Sequence, residues 1–176
     1  MLKKSIFDLN RISVDSFHQK EKLPLVIVLD NIRSVYNVGS IFRTCDAFLI
    51  ECIYLCGITG KPPHVEIHKT ALGAEQSVDW VYFKDTMDAV KDLQSKGYEV
   101  WSIEQVHESV SLEDFQVQKN HKYAVVFGNE VKGVRQDVVD ESKGSIEIPQ
   151  YGTKHSLNVA ISAGIVIWDF FKKLCF

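Results

Sequence analysis

The feature that most constrains the fold is a continuous apolar run, Leu25-Val-Ile-Val-Leu29, which is rich in β-branched residues. A strand with one face in water alternates apolar and polar residues, whereas this run does not alternate. Such a run is typical of a strand that is buried on both faces, as in a parallel sheet covered by helices. The run therefore predicts a parallel sheet.

Further apolar segments alternate along the chain between strand-like and helical spacing. Strands are predicted at 50–56, 78–83, 98–103, 123–127 and 145–148, and helices at 37–48, 86–96, 135–142 and 156–174. Alternation of this kind indicates an α/β fold with a mostly parallel sheet flanked by helices.

The ends and faces of two helices are also predicted. Thr86 is expected to cap helix 86–96, with Met87, Val90 and Leu93 facing inward and Gly97 ending it. Ser156 is expected to cap the longest helix. The inward stripe of that helix is predicted to be Leu157, Ala160, Ile161, Gly164, Ile165, Trp168 and Phe171.

Composition indicates one ordinary globular domain. The chain has 176 residues and is 45% hydrophobic, which excludes intrinsic disorder. We expect residues 1–22 to form an N-terminal arm on the domain 23–176. The four cysteines form no CxxC pair, and no apolar stretch resembles a signal peptide or a membrane span, so a reduced, cytoplasmic protein is expected.

Polar residues follow three of the predicted strands, where ligands bind in open parallel sheets. The first segment carries Asn37, a possible helix cap, and Arg43, which could clamp a phosphate or form a surface salt bridge. In the second, Gly128 permits close approach to a ligand or simply makes the turn. In the third, Asn158 is either a local capping residue or a polar group for a ligand at the helix N-terminus.

Other chemistries have weaker support. Cys52, Cys56, His64 and His68 resemble a zinc pattern only superficially, and buried thiols with surface histidines are the favoured interpretation. The chain has neither a phosphate-binding Walker loop nor GxGxxG, which counts against a dinucleotide oxidoreductase. His155 and Ser156 are adjacent and point apart on a helix, so they are a poor catalytic pair.

Taken together, the three segments resemble the SpoU (TrmH-like) branch of the SPOUT RNA methyltransferases. The first is Asn37-x-Gly39-x3-Arg43-Thr-Cys-Asp-Ala-Phe48, and the second is Val126-Phe-Gly-Asn-Glu-Val-Lys-Gly-Val134. The third is Ile148-Pro-x2-Gly152-x3-Ser156-Leu-Asn-Val-Ala-Ile-Ser-Ala-Gly164. The stretch Lys69-Thr-Ala-Leu-Gly-Ala74 is similar to one seen in this family.

The resemblance implies an enzyme that methylates a ribose 2′-hydroxyl of RNA, with tRNA as the first expectation and rRNA as the second. It also implies S-adenosylmethionine as cofactor without a metal, a C-terminal deep trefoil knot and a homodimer. The implied catalytic residues are Arg43, Asn37, Glu130, Ser156 and Asn158. The implied cofactor contacts are Ile103, Phe127, Gly128, Asn129, Ile148, Pro149, Ser156 and Leu157.

The role of Arg43 in such a reaction is a hypothesis. Arginine normally stays protonated, so Arg43 is expected to bind the adjacent phosphate and to stabilise the emerging alkoxide rather than to act as a base. The alternative is an RNA-binding paralogue that has lost catalysis. Retention of all five implied catalytic residues speaks against this alternative.

The net charge of the chain by itself disfavours RNA, since 20 Lys and Arg stand against 23 Asp and Glu. The acidity, however, is concentrated between Asp79 and Asp114, where nine acids oppose three lysines. This stretch is predicted to face away from RNA, because phosphate binding depends on the local field. The bases expected to face RNA are Lys3, Lys4, Arg11, Lys20, Lys22, Arg33, Arg43, Lys132, Arg135 and Lys154.

Overall fold

A computed structural model describes residues 1–9 and 11–176 and contains a seven-stranded sheet. The strands are β1 (Leu23–Asp30), β2 (Ile50–Cys56), β3 (Trp80–Phe83), β4 (Tyr98–Ile103), β5 (Val110–Ser111), β6 (Lys122–Phe127) and β7 (Gly144–Glu147).

All strand pairs of this sheet are parallel, and the spatial order is β3-β2-β1-β6-β4-β7-β5. The predicted parallel α/β sheet is therefore confirmed, while the two-residue β5 was not predicted. The order reverses between β1 and β6, which makes a topological switch point. Register aligns the carboxyl ends of the neighbouring strands, because Leu29 pairs with Phe127, Phe127 with Ile103, and Ile103 with Ile146.

Helices cover both faces of the sheet. They are α1 (Val14–Gln19), α2 (Val35–Ala47), α3 (Val65–Ala71), α4 (Ala74–Ser77), α5 (Thr86–Ser95), α6 (Gln136–Glu141) and α7 (Val159–Cys175), with a 3₁₀ turn at Ile6–Leu9.

Two hydrophobic cores flank the sheet and explain the apolar run of β1. Leu25, Ile27 and Leu29 belong to the core that contains residues of α2, α3 and α7. Val26 and Val28 belong to the core formed with α5 and α6. All five side chains are at most 2% exposed, so the predicted burial of this strand on both faces is confirmed.

Two helices begin at other caps than the sequence predicted. Ser34, not Asn37, caps α2, since its hydroxyl accepts a hydrogen bond from Asn37 N at 3.3 Å. Asp85, not Thr86, caps α5, since its carboxylate accepts from Met87 N at 2.9 Å. In each case a good capping residue lies just upstream of the predicted start. The predicted end of α5 is confirmed, because Lys96 is its C-cap and the next residue, Gly97, has φ +81°.

The start of α7 also differs from the prediction. Ser156 lies outside the helix, and Asn158 is the N-cap, with Oδ1 accepting from Ala160 N at 2.9 Å. Asparagine has a low propensity for the interior of a helix, because its side chain competes for the backbone hydrogen bonds. At the N-cap the same side chain accepts hydrogen bonds from the first backbone N–H groups, which have no partner within the helix.

The predicted inward face of α7 is wrong. Ile161, Ile165 and Trp168 are exposed by 56%, 37% and 51%, whereas Ala160 and Phe171 are partly buried at the edge of the core. The side chains that α7 buries are Val159, Ala163, Val166, Ile167 and Phe170. Because α7 is apolar on nearly all sides, periodicity alone does not decide which face the sheet receives.

The close packing of α2 on α3 depends on Gly39, one of the residues that carry the family resemblance. A Cβ at this position would lie 1.9 Å from Thr70 Oγ1 and 2.6 Å from Ile67 O. Glycine is therefore required where the two helices cross. The segment 69–74 begins at the end of α3, directly beside this crossing.

The segment that precedes the sheet is attached to the domain through α1. Phe17 of α1 is 2% exposed and belongs to the core with α2, α3 and α7. Within the described part of the chain, none of the helices has the length and apolar character that crossing a bilayer requires.

Candidate active site

A cavity of about 690 Å³ opens at the carboxyl ends of β6, β4 and β7. This volume lies within the range of small-molecule sites, about 300–1,000 Å³. Nine of the residues implied by the resemblance line it. They are Ile103, Phe127, Gly128, Asn129, Glu130, Ile148, Ser156, Leu157 and Asn158.

Glu130 stands at the rim of this cavity and holds the start of α2. Its carboxylate accepts hydrogen bonds from Arg33 N at 2.9 Å, Ser34 N at 3.0 Å and Asn37 Nδ2 at 3.0 Å. Partial burial alone would raise the pKa of Glu130, but these bonds together with that from its own backbone N–H lower it below the ordinary value. Glu130 is therefore suited to positioning α2 as an anion and poorly suited to accepting a proton near neutral pH.

A chain of side-chain hydrogen bonds joins the three segments that carry the resemblance. Asn158 Nδ2 donates to Asn37 Oδ1 at 3.2 Å, and Asn37 Nδ2 donates to Glu130 Oε1 at 3.0 Å. Residues separated by 121 and 93 positions in the sequence are thereby connected. We refer to Asn158, Asn37 and Glu130 as the rim chain.

Three of the implied residues differ in placement from the rest. Asn37 contacts the rim through hydrogen bonds but, like Pro149, is not among the cavity-lining residues. Arg43 is exposed on the third turn of α2, away from the lining. Among the described residues, no carboxylate lies within ion-pair distance of Arg43, so the surface salt bridge considered for it is not formed. Its guanidinium is available to a phosphate.

Gly128 is required by the turn itself. A Cβ there would lie 2.0 Å from Val134 N and 2.1 Å from the carbonyl carbon of Gly133. The loop closes on itself through bonds between Asn129 N and Gly133 O at 3.0 Å and between Gly133 N and Asn129 O at 2.8 Å. Gly128 thus allows close approach of the protein's own backbone, and its position in the lining follows from that turn.

The cavity contains two carboxylates that the sequence reasoning missed, those of Glu104 and Glu147. Glu104 Oε2 accepts from Val134 N at 2.9 Å, and Glu147 Oε2 accepts from Ser109 Oγ at 2.8 Å. Glu104 directly follows β4, so the rule that ligands bind at strand ends could have identified it.

One charge prediction needs correction, and one of the predicted bases is already paired with carboxylates. Glu104 belongs to the acidic stretch Asp79 to Asp114, so this stretch does not lie wholly away from the cavity. Arg135, predicted to face RNA, is held by Asp85 at 3.0 Å and by Asp137 at 2.5 Å. Two carboxylates therefore offset its charge locally.

A second carboxylate network lies beneath the rim. Asp30, at the end of β1, is 0% exposed and accepts from Thr86 Oγ1 at 2.5 Å, Asn31 Nδ2 at 2.7 Å and Arg135 N at 3.1 Å. Asn129 Nδ2 donates to Asn31 O at 2.7 Å, which links this network to the cavity loop.

The residues of the superficial zinc pattern take part in other contacts. Cys56 is buried in the core with α5 and α6, and Cys52 packs against the same core. Burial raises the pKa of both thiols to about 12. His64 Nδ1 accepts from Glu66 N, and His68 Nδ1 lies 2.5 Å from Glu75 Oε1. Within residues 1–9 and 11–176, no group of three or more His, Cys, Asp or Glu side chains is arranged for a metal ion.

Comparison with known families gives one clear match. The sequence model of the SpoU rRNA Methylase family matches residues 24–168, which include all three segments joined by the rim chain. The chain belongs to the SpoU rRNA Methylase family. The resemblance seen in the sequence is thereby confirmed.

Curated relatives within the SpoU family are similar along most of this chain. A tRNA (guanosine(18)-2′-O)-methyltransferase of Aquifex aeolicus is 28% identical over 154 residues, which are 86% of this chain and 70% of the relative. A 23S rRNA (guanosine-2′-O-)-methyltransferase, RlmB, of Vibrio parahaemolyticus is 26% identical over 161 residues, or 92% of this chain. The chain spans 64% of the length of that second relative.

A solved SpoU-like structure supports the fold. The AdoMet-bound rRNA methyltransferase of Sinorhizobium meliloti superposes with a TM-score of 0.80 and 25% identity. The superposition covers 89% of this chain and 59% of the other. The parallel sheet and its flanking helices are therefore those of the SpoU methyltransferases.

Proposed function

We propose that this protein transfers a methyl group from S-adenosylmethionine to a ribose 2′-hydroxyl of tRNA or rRNA. The observation that carries the proposal is the cavity at the carboxyl ends of β6, β4 and β7, whose rim chain unites Asn158, Asn37 and Glu130. Membership in the SpoU family and the relatives that act on tRNA and 23S rRNA support the same reaction.

The residues of the cavity fit this cofactor. Ile103 and Ile148, which are partly buried, provide apolar contacts for an adenine ring, and the backbone around Phe127, Gly128 and Leu157 provides hydrogen-bonding groups. The carboxylates of Glu104 and Glu147 make the lining acidic, which favours a ligand with a sulfonium and an ammonium group. When bound, S-adenosylmethionine supplies an electrophilic methyl group.

The side chains of the protein position the ribose 2′-hydroxyl and stabilise the negative charge that develops on its oxygen. A ribose hydroxyl is a very weak acid, so the alkoxide that emerges needs a nearby cation or a proton acceptor. Glu130 is committed to the N–H groups at the start of α2, whereas Arg43, on the same helix, carries a guanidinium that pairs with no carboxylate of the described residues. Arg43 binds the phosphate next to the target ribose and stabilises the alkoxide, and Asn37, Ser156 and Asn158 shape the rim where the ribose lies.

Calorimetry with S-adenosylmethionine, followed by transfer of a labelled methyl group to bulk tRNA and rRNA, tests the proposal. Binding of the cofactor with transfer to one RNA class supports it, with tRNA the first expectation. Binding of RNA and cofactor without transfer would instead favour an inactive RNA-binding paralogue. Mapping the 2′-O-methyl groups lost in a strain that lacks the protein then identifies the nucleotide.

The role of Arg43 has its own test. Arg43→Lys keeps the positive charge but loses the bidentate fork, so methyl transfer should fall while cofactor binding stays unchanged. A pH–rate profile of this variant compares the two roles. Near-normal activity would contradict both a phosphate clamp and a base.

A second copy of the chain is proposed to cover the apolar outer face of α7. Ile161, Ile165 and Trp168 are exposed there, and α7 packs beside α2, which carries the exposed Tyr36 and Arg43. Contiguous exposed apolar side chains on one face are typical of an interface. A homodimer through this face would bring α2 of each copy near the partner.

Sedimentation of Ile161→Asp tests the dimer. The variant should sediment as a monomer, whereas Leu72→Asp, at an apolar residue exposed by 65% at the end of α3, should not change the mass. A wild-type chain that sediments as a monomer at micromolar concentration would contradict the proposal. The trefoil knot and the cytoplasmic location stay predictions.

A further inference from the structure

The segment that joins β7 to α7, residues 148–158, forms one wall of the candidate active site and has no regular secondary structure. We refer to it as the wall segment. The cavity-lining residues that it contributes are Ile148, Gln150, Ser156, Leu157 and Asn158. All residues from 151 to 158 are exposed, so packing against the core contributes little to holding this wall in place.

The wall segment is anchored at its two ends and at one point between them. At its start, Ile148 packs against the edge of the core, and at its end Asn158 caps α7 and donates to Asn37. Between these ends, the structure shows one hydrogen bond from residues 149–157 to the rest of the described chain. In this bond Gln105 Nε2 donates to His155 O at 2.8 Å. The bond fixes the backbone directly before Ser156 and Leu157, where the implied cofactor contacts begin.

The backbone of Gln105 is itself fixed, because it directly follows Glu104 at the end of β4. Glu104 N donates to Ile146 O at 3.2 Å, which joins this point of the chain to β7. The carboxylate of Glu104 accepts from Gln105 N at 3.0 Å and from Val134 N at 2.9 Å. Gln105 is therefore tied both to the sheet and to the loop after β6, and it reaches the wall segment from a rigid base.

We infer that Gln105 is a positioning residue, which holds the wall segment against the cavity and thereby raises the affinity for S-adenosylmethionine. A segment that is already held in its bound conformation loses less conformational freedom when a ligand binds. Gln105 acts through the carbonyl of His155 and needs no contact with the cofactor for this role. That the ligand is S-adenosylmethionine rests on the proposed function, whereas the hold on the wall segment rests on the bond from Gln105 to His155.

Binding of the cofactor to Gln105→Met gives the first test, because methionine keeps the length of the side chain and removes the donor. Calorimetry should show that the Kd for S-adenosylmethionine rises about fivefold, which corresponds to the loss of one exposed hydrogen bond between neutral groups. In initial rates of methyl transfer, the KM for the cofactor should rise by the same factor. The kcat at saturating cofactor should stay near that of the wild type, because the rim chain does not include Gln105.

Limited digestion with trypsin gives a second test, which needs no cofactor. Lys154 lies in the exposed part of the wall segment and directly precedes His155. Without the bond from Gln105, the segment should open more often, so the unliganded Gln105→Met should be cut after Lys154 faster than the wild type. Mass spectrometry of the fragments measures this rate. A glutamine that only contacted the cofactor would leave the rate unchanged.

Gln94→Met is the matched control. Gln94 is also exposed, and its Nε2 donates to the backbone carbonyl of the distant Glu141 at 3.1 Å, but it joins α5 to the end of α6 and does not line the cavity. This variant should change neither the Kd nor the cleavage after Lys154. Circular dichroism and denaturant unfolding should show both variants folded and near wild-type stability, since each loses one exposed bond. If Gln105→Met does not fold, Gln105→Ala is measured in its place.

The outcomes separate this inference from the proposed function. In a wild type that binds S-adenosylmethionine, an unchanged Kd or an unchanged rate of cleavage after Lys154 in Gln105→Met would overturn the inference, even if methyl transfer proceeds. Equal changes in Gln94→Met would overturn it as well. Faster cleavage in Gln105→Met alone, in a wild type that does not bind S-adenosylmethionine, would uphold the hold on the wall segment and contradict the proposed function.

Discussion

Two carboxylates at the ends of neighbouring strands have similar partners and different surroundings. Asp30, at the end of β1, is fully buried and accepts from a hydroxyl, an amide and a backbone N–H. Glu130, just after β6, accepts from two backbone N–H groups and the amide of Asn37, but it is exposed at the cavity rim. The comparison indicates that a buried network of this kind maintains the fold, while an exposed one is open to a substrate.

The largest expected effect is on folding, from Asp30→Ala. Its three donors would lose their acceptor in a site that water does not reach, at a cost of about 3 kcal/mol or more in the free energy of unfolding. Denaturant unfolding followed by circular dichroism measures this loss. Asp114→Ala, at an exposed carboxylate between β5 and β6, is the matched control and should change stability little. If Asp30→Ala lowers the free energy of unfolding by less than about 1 kcal/mol, the proposed difference between Asp30 and Glu130 is wrong.

The second prediction is that a change at Glu130 affects activity more than stability, the opposite of the effect expected at Asp30. Glu130→Gln keeps one acceptor oxygen but loses the charge and the second acceptor, so the start of α2 and Asn37 should shift. Methyl transfer should fall about tenfold, equivalent to about 1.4 kcal/mol, while the free energy of unfolding falls by about 1 kcal/mol or less. Initial rates on RNA and denaturant unfolding provide the two numbers. An active variant that unfolds easily would place Glu130 in the same class as Asp30.

The third prediction separates two functions of Asn158. Asn158→Ala removes both the α7 cap and the bond to Asn37 and should cost about 1 kcal/mol of stability. Asn158→Asp keeps a capping oxygen but sets a carboxylate oxygen against Asn37 Oδ1, so stability should be near that of the wild type while methyl transfer falls. If both variants lose stability equally, the cap is not the source of the loss.

The smallest expected effect is on the pH dependence of stability. The pKa of Glu130 is lower in the folded chain than its ordinary value of 4.5. The stabilisation from its ionised form is therefore complete above 4.5 and is lost as the pH falls through the lower, folded pKa. The difference in stability between the wild type and Glu130→Gln should be constant above pH 4.5 and should shrink as the pH falls through the folded pKa. A difference that stays the same as the pH falls well below 4.5 would contradict the assignment.

Much of the candidate site could be predicted because it follows from the ends of buried strands. The strand-like segments 25–29, 123–127 and 145–148, with the polar residues that follow each of them, place Asn37, Glu130 and Asn158 at one edge of a parallel sheet. Their direct hydrogen bonds could not be predicted, since sequence spacing does not specify which side chains meet across 121 positions.

The sequence by itself determined the alternation of strands and helices and the burial of β1 on both faces. It also determined the resemblance to the SpoU family, which three segments in a fixed order carry. These follow from local periodicity and from residue types at fixed spacing. Only the tertiary structure decided which face of α7 enters the core, where the caps of α2, α5 and α7 lie, and that Gly128 serves its own loop. These features depend on competition between groups of similar local preference, and packing with distant residues settles that competition.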